Sequence, residues 1–112
     1  MSLTSSKQSG VLVMMPGSRL DTQTAPEADA QIAAAIAGGE TRILIDFAQT
    51  RYISSAGLRV LLKASKQLGK VGAFGLCNAN PQIREVLDIS GFATIMHCYG
   101  GLDEGLEALT SP

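Results

Sequence analysis

Long apolar runs are missing from this 112-residue sequence. None approaches the roughly 20 residues that a membrane-spanning helix needs. The opening MSLTSSKQSG is polar and lacks an apolar signal core, so neither a membrane nor export is indicated, and a cytoplasmic protein is expected. Charge is also scarce, at 17% of residues with a net of -1. That balance argues against a nucleic-acid groove or an anionic membrane surface as partner. There is one histidine, His97, and it lies inside a strand-like pattern. A lone histidine in that setting reads as structural rather than catalytic. The two cysteines, Cys77 and Cys98, do not form a CxxC pair and fall in or beside strand patterns. They read as free thiols of a reducing compartment.

The motifs of common chemistry are absent as well. Neither G-x-G-x-x-G nor GxxxxGK[ST] occurs, and the glycines of GAFGLC fall within a strand rather than on a phosphate-cradling loop. Glu85, Asp88 and His97 show no metal-ligand spacing. Ser54 and Ser55 lack a G-x-S-x-G elbow. No acid–base pair converges. The expectation is a binding domain that is not an enzyme and carries no cofactor or metal.

What is present is centred on residues 43–62, ILIDFAQTRYISSAGLRVLL. ILIDF reads as a short central strand buried on both faces. A polar turn follows, and after Gly57 an apolar stripe resumes at Leu58, Leu61, Leu62, Ser65 and Leu68 with helical spacing. Strand, polar corner and amphipathic helix make an α/β unit, with the corner where open α/β sheets carry their functional groups.

The flanks complete a single domain, since 112 residues with 46% hydrophobic content bury one core. Residues 1–10 are expected to be a flexible leader, and 11–109 the domain. Val11–Met15 is the first strand, and residues 18–21 form a short second strand that pairs with it as an antiparallel ribbon. Thr24 and Glu27 form a T-x-x-E capping box for the first helix, whose stripe is Ala28, Ile32 and Ile36 and whose stop is Gly38-Gly39. The second helix runs from Ser55 or Ala56 to Leu68, capped by Ser54 or Ser55. Val71–Leu76 is a strand. Asn80-Pro81 opens the third helix, with Ile83, Val86 and Leu87 inward. Thr94–Cys98 is the last strand, and Asp103–Leu109 a closing helix that Gly105 weakens. The order is β-β-α-β-α-β-α-β-α, an α/β fold with a mixed, mostly parallel sheet of four to five strands and helices packed against it.

Asp46 stands at the end of the central strand. A carboxylate there is expected at the sheet's top edge, accepting hydrogen bonds from backbone groups near Ser55 to Gly57. It serves either the local turn or function directly. Two readings are also open for the corner hydroxyls. One is plain helix capping. The other is phosphorylation, which adds about -1.5 to -2 charges beside unpaired N–H groups that tolerate them. Asp21, Thr22, Tyr52, Ser54, Ser55, Ala56, Leu58 and Arg59 are expected to gather on one exposed patch, with Leu58 shared with the core.

The central stretch resembles the signature of the STAS domain family, and more narrowly that of bacterial anti-sigma factor antagonists. GSRLDTQTAPE resembles that family's strand end before the first helix, NPQIREVLDISGF its third-helix segment, and ISGFATIMHCYGGLDEGLEAL its ending. The likeness covers Val11 to Leu109. It implies a phosphorylation-switched protein-binding domain in partner switching, signal transduction and transcription regulation. The unphosphorylated form would sequester an anti-sigma factor of the serine kinase class, and a serine phosphatase would act transiently to reverse the modification. The family motif D-S-S-G or D-S-T-G places the phosphoacceptor on Ser55 and the motif glycine on Gly57. Ser54 stands in for the motif aspartate and Ala56 for the second hydroxyl residue. The resemblance places Asp21 near the switch serine and the partner, and Asp46 at the strand-end carboxylate position. A non-switching scaffold or a small-ligand sensing module is the alternative on the same fold. A monomer is expected.

Overall fold

The computed structural model describes residues 3–69 and 72–110. Its elements are β1 (Thr4–Gln8), β2 (Val11–Met15), β3 (Arg19–Leu20), α1 (Ala25–Ala37), β4 (Arg42–Asp46), β5 (Tyr52–Ile53), α2 (Ser55–Leu68), β6 (Ala73–Cys77), α3 (Pro81–Ile89), a single 3-10 turn (Phe92–Thr94), β7 (Cys98–Tyr99) and α4 (Leu102–Thr110).

Five strands form one sheet in the order β1-β2-β4-β6-β7. Only β1 runs antiparallel, Thr4 facing Met15 and Gln8 facing Val11; the other pairs are parallel. The apolar run Ile43–Ile45 therefore occupies the middle strand, with Leu12–Met14 on one side and Phe74–Leu76 on the other. Alternation along β4 divides the core in two. Ile43 and Ile45 join Ile32 of α1, Leu61 of α2 and Leu87 of α3, whereas Leu44 joins Val11, Cys77 and Leu109 of α4. Gly105 contributes to the second layer by its lack of a side chain: a Cβ there would lie 2.9 Å from Leu44 Cδ2. The glycine that weakens α4 locally is what allows α4 to sit directly on the central strand.

Several elements differ from expectation. The polar opening segment, expected to be a flexible leader, contributes β1 as an edge strand, because β2 has a free edge for it to cover. Residues 19–20 do not pair with Val11–Met15. They form a separate two-stranded parallel sheet with β5, Arg19 facing Tyr52 and Leu20 facing Ile53. Thr24 does not cap α1 through a capping box; its hydroxyl donates to the Arg19 carbonyl and accepts from Asp21 N–H instead. The last strand is Cys98–Tyr99 alone, since residues 92–94 are wound into the 3-10 turn and His97 precedes the strand, exposed and stacked on Tyr99. Val71, expected to open β6, lies outside the described residues. The Asn80 cap forms as read: its Oδ1 accepts from Ile83 N–H at 2.8 Å.

The register also sets the thiols apart. Leu76 faces Cys98 and Cys77 faces Tyr99, so the two cysteines lie on opposite faces of adjacent strands. Burial, reinforced by the charge of Asp46 and a hydrogen bond to it, pushes the Cys77 thiol up to about 12. At pH 8 its thiolate fraction is then about one part in ten thousand. Cys77 should therefore resist a thiol reagent in the native protein while half-buried Cys98 reacts. One equivalent is expected natively and two in denaturant, and two native equivalents would contradict the packing.

Candidate functional site

The loops after β2, β4 and β6 emerge on the same edge of the sheet because those strands are parallel. The corner between β4 and α2 is held against the loop after β2 by main-chain bonds. Arg51 N–H donates to the Ser18 carbonyl at 2.8 Å and Ser54 N–H to the Leu20 carbonyl at 2.9 Å. This brings Asp21 beside the first turn of α2, although more than 30 residues separate them in sequence.

The two corner serines have different surroundings. Ser54 is the N-cap of α2, with extended backbone, and its Oγ accepts from Gly57 N–H at 3.4 Å. That bond is long but satisfies one of the unpaired donors of the helix start. Ser55, the first helical residue, is exposed, and its hydroxyl makes no hydrogen bond among the described residues. The choice left open between Ser54 and Ser55 as cap is thus resolved for Ser54.

The remaining expected site residues separate into surface and core. Thr22, Tyr52 and Arg59 are exposed, Asp21 and Ala56 half-buried. Gly57 and Leu58 are buried, Leu58 at 7% exposure, so neither offers a side chain to a partner. Leu58 belongs wholly to the core, against the expectation of a shared position. Gly57 has a structural role: a Cβ there would stand 2.5 Å from the Leu20 carbonyl oxygen.

Asp46 also departs from its expected role. It is 4% exposed and accepts from Ala48 N–H at 2.9 Å and from Asn78 Nδ2 at 3.0 Å, not from backbone near Ser55 to Gly57. Its hydrogen bonds go to its own turn and to the loop after β6, where Asn78 adopts a left-handed conformation at φ 60. It supports the edge from below rather than facing Ser55.

Around Asp21 the structure adds residues that the sequence did not single out. Arg19 Nε donates to Asp21 Oδ2 at 3.0 Å, and the guanidinium lies 5.3 Å from the centre of the Tyr52 ring. Parallel pairing of β3 with β5 sets Arg19 opposite Tyr52 and makes that contact possible. Asp21 Oδ1 accepts from Gln23 and Thr24 N–H, forming an Asx turn that leads into α1. Desolvation alone would raise the Asp21 pKa, but these backbone bonds and Arg19 outweigh it and hold the carboxyl below its ordinary value. The acid is therefore ionised at neutral pH. Arg19, Asp21, Thr22, Gln23, Tyr52 and Ser54 line a shallow depression of about 450 Å³ next to Ser55. The Arg-x-Asp spacing was the one available signal for Arg19.

An exposed hydroxyl at a capped helix start, near an ionised carboxylate and an aromatic ring, suits recognition by a protein surface. His97 is exposed and stacked on Tyr99, and no group of three or more His, Cys, Asp or Glu side chains that could hold a metal occurs among the described residues. The architecture is that of a small α/β domain with a mixed five-stranded sheet, and residues 2–105 match the STAS domain family model. The chain belongs to the STAS domain family. It is 42% identical over 96 residues, 85% of this chain and 83% of the relative, to BtrV of Bordetella bronchiseptica, named as a candidate anti-sigma factor antagonist. An anti-sigma factor antagonist structure from Mycobacterium paratuberculosis superposes with a TM-score of 0.91 at 26% identity, over 98% of this chain and 94% of that one. The Bacillus cell fate determinant SpoIIAA in its phosphorylated form shares the fold, with a TM-score of 0.74 at 24% identity over 96% and 98% of the two chains.

The Gly57 contact generates a prediction. Gly57→Ala would gain about 1 kcal/mol of helix propensity. It should nonetheless lower stability by about 1–3 kcal/mol, because backbone must move to admit the methyl. A urea midpoint at or above wild type would contradict the close approach of α2 to β3.

Proposed function

We propose that this protein is an anti-sigma factor antagonist that sequesters a serine-kinase-type anti-sigma factor when unphosphorylated and releases it when Ser55 is phosphorylated. One observation carries the reading. Of two adjacent hydroxyls at the start of α2, Ser54 is engaged as the helix cap and Ser55 faces solvent unengaged. A kinase can reach Ser55 without dismantling the helix.

The consequences of phosphate at Ser55 follow from electrostatics. The free N–H groups and positive end of α2 tolerate a dianion, so the fold survives modification. A close-packed partner does not tolerate it, because the charge must be stripped of water at the interface. Asp21, Thr22, Tyr52, Ser54, Ala56 and Arg59 form the docking face in this reading, with Gly57 and Leu58 fixing its backbone. Asp21 supplies a fixed negative charge and Tyr52, 48% exposed, an apolar surface. The antagonist names of the relatives support the partner class, and a structure of the same fold in a phosphorylated form supports the compatibility of fold and modification. The protein acts by binding, without turnover of its own, with a phosphatase resetting it. No helix among the described residues is long and apolar enough to cross a membrane; in this reading the protein works in the cytoplasm.

Phosphosite mapping after incubation with the cognate kinase and ATP tests the assignment. Wild type and Ser54→Ala should both acquire phosphate on Ser55, and Ser55→Ala should acquire none. Phosphate on Ser54 alone would overturn it.

A further inference from the structure

Asn80 is usually sufficiently explained as a helix cap, but here its side chain does two things at once. Its Oδ1 accepts from Ile83 N–H at 2.8 Å, closing the start of α3. Its Nδ2 donates to the Arg51 carbonyl at 3.2 Å and approaches the Thr50 carbonyl at 3.4 Å. The amide's orientation is dictated by its partners, since an N–H can face only the oxygen and carbonyls only the NH₂. Thr50 continues the seam. It is 3% exposed, and its hydroxyl donates to the Gly17 carbonyl at 2.9 Å. Thus Asn80 and Thr50 join the three loops on the functional edge: after β2, after β4 and after β6.

We propose that Asn80 is a positioning residue for the corner, holding residues 50–54 in the conformation that presents Ser55. The corner needs such a support. Its only regular structure is β5, two residues long and paired on one side with an equally short β3. Main-chain bonds to Ser18 and Leu20 restrain that side. Asn80 restrains the opposite side, from an element anchored in the core by Ile83 and Leu87. Without its amide donor, two carbonyls lose their partner, and the corner keeps the packing of Ile53 in the core but no hydrogen bond on the α3 side among the described residues. A corner that samples several conformations is recognised less well in proportion to the competent fraction. This inference rests on the proposed switch only for what the corner is used for; the restraint itself is a property of the free protein.

The test separates cap from clamp. Asp is as good an N-cap as Asn, so Asn80→Asp keeps the acceptor for Ile83 N–H and replaces the donor with an oxygen facing two carbonyls. Asn80→Ser likewise retains a cap and stands in should the aspartate variant fail to fold. Amide hydrogen exchange on the full chain is the readout. The Arg51, Tyr52 and Ser54 amides should exchange at least tenfold faster in Asn80→Asp, with the Ile83 and Arg84 amides within twofold of wild type. Asn80→Ala should accelerate both groups. Corner exchange within twofold of wild type in the cap-retaining variants would overturn the proposal. With the cognate kinase, the same variants should raise KM and leave kcat within twofold, and an unchanged KM despite a loosened corner would refute the positioning role. Absence of Ser55 phosphorylation in wild type would defeat the switch and leave the exchange result standing.

Discussion

The carbonyl of Leu20 is the fixed point of this surface. It accepts from Ser54 N–H at 2.9 Å, and Gly57 packs so close that any Cβ would stand 2.5 Å from it. One backbone oxygen thereby sets both the last residue before α2 and the depth at which the helix's first turn lies against β3. Asp21 follows Leu20 directly, so its carboxylate is delivered to the same place. Relax this contact and Asp21 loses one of the main-chain ties that hold it beside the Tyr52–Ser55 segment. The requirement for glycine at residue 57 is therefore steric: α2 is anchored by backbone approach where a side chain would hold it away.

That anchoring separates structural from exposed chemistry within a few residues. Ser54 spends its oxygen on the helix cap, Gly57 and Leu58 are inside, and Ser55 and Arg59 are outside. No hydrogen bond among the described residues depends on the Ser55 hydroxyl. Asp46 shows the complementary arrangement. It is a buried carboxylate with Ala48 N–H and Asn78 as partners, one step beneath the surface, stabilising the turn that supports the corner. Burial without those partners would be costly.

Much of this was legible in the sequence where a periodic or capping signal extended over enough residues. The run Ile43–Phe47 announced a central strand, the spacing from Leu58 to Leu68 the amphipathic helix, and Asn80-Pro81 the start of α3. The parallel pairing of β3 with β5 was not legible, because two-residue strands carry no alternation and their partners lie more than 30 residues apart. β1 was hidden for a related reason. Its residues are polar and almost entirely exposed, and only the free edge of β2 recruits them. Thr24 and Glu27 matched a capping box, but the Asx turn at Asp21 took the threonine's hydrogen bonds first. Of the candidate site, the residues with distinctive side chains, Asp21, Tyr52, Ser55 and Arg59, were legible in the sequence. Arg19, Thr50 and Asn80, whose roles come from tertiary contacts, were not.

The central claim is that phosphate on Ser55 abolishes a protein interface without disturbing the fold. Titration calorimetry of the cognate kinase-type partner against the unmodified and the stoichiometrically Ser55-phosphorylated protein tests it most directly, with amide NMR shifts of both forms recorded alongside. A desolvation penalty of about 3 kcal/mol corresponds to more than a hundredfold in Kd. The account predicts at least that loss, with shift changes confined to the first turn of α2 and its neighbours in β3 and β5. Equal affinities for the two forms, or weakened binding accompanied by shifts throughout the sheet, would contradict it.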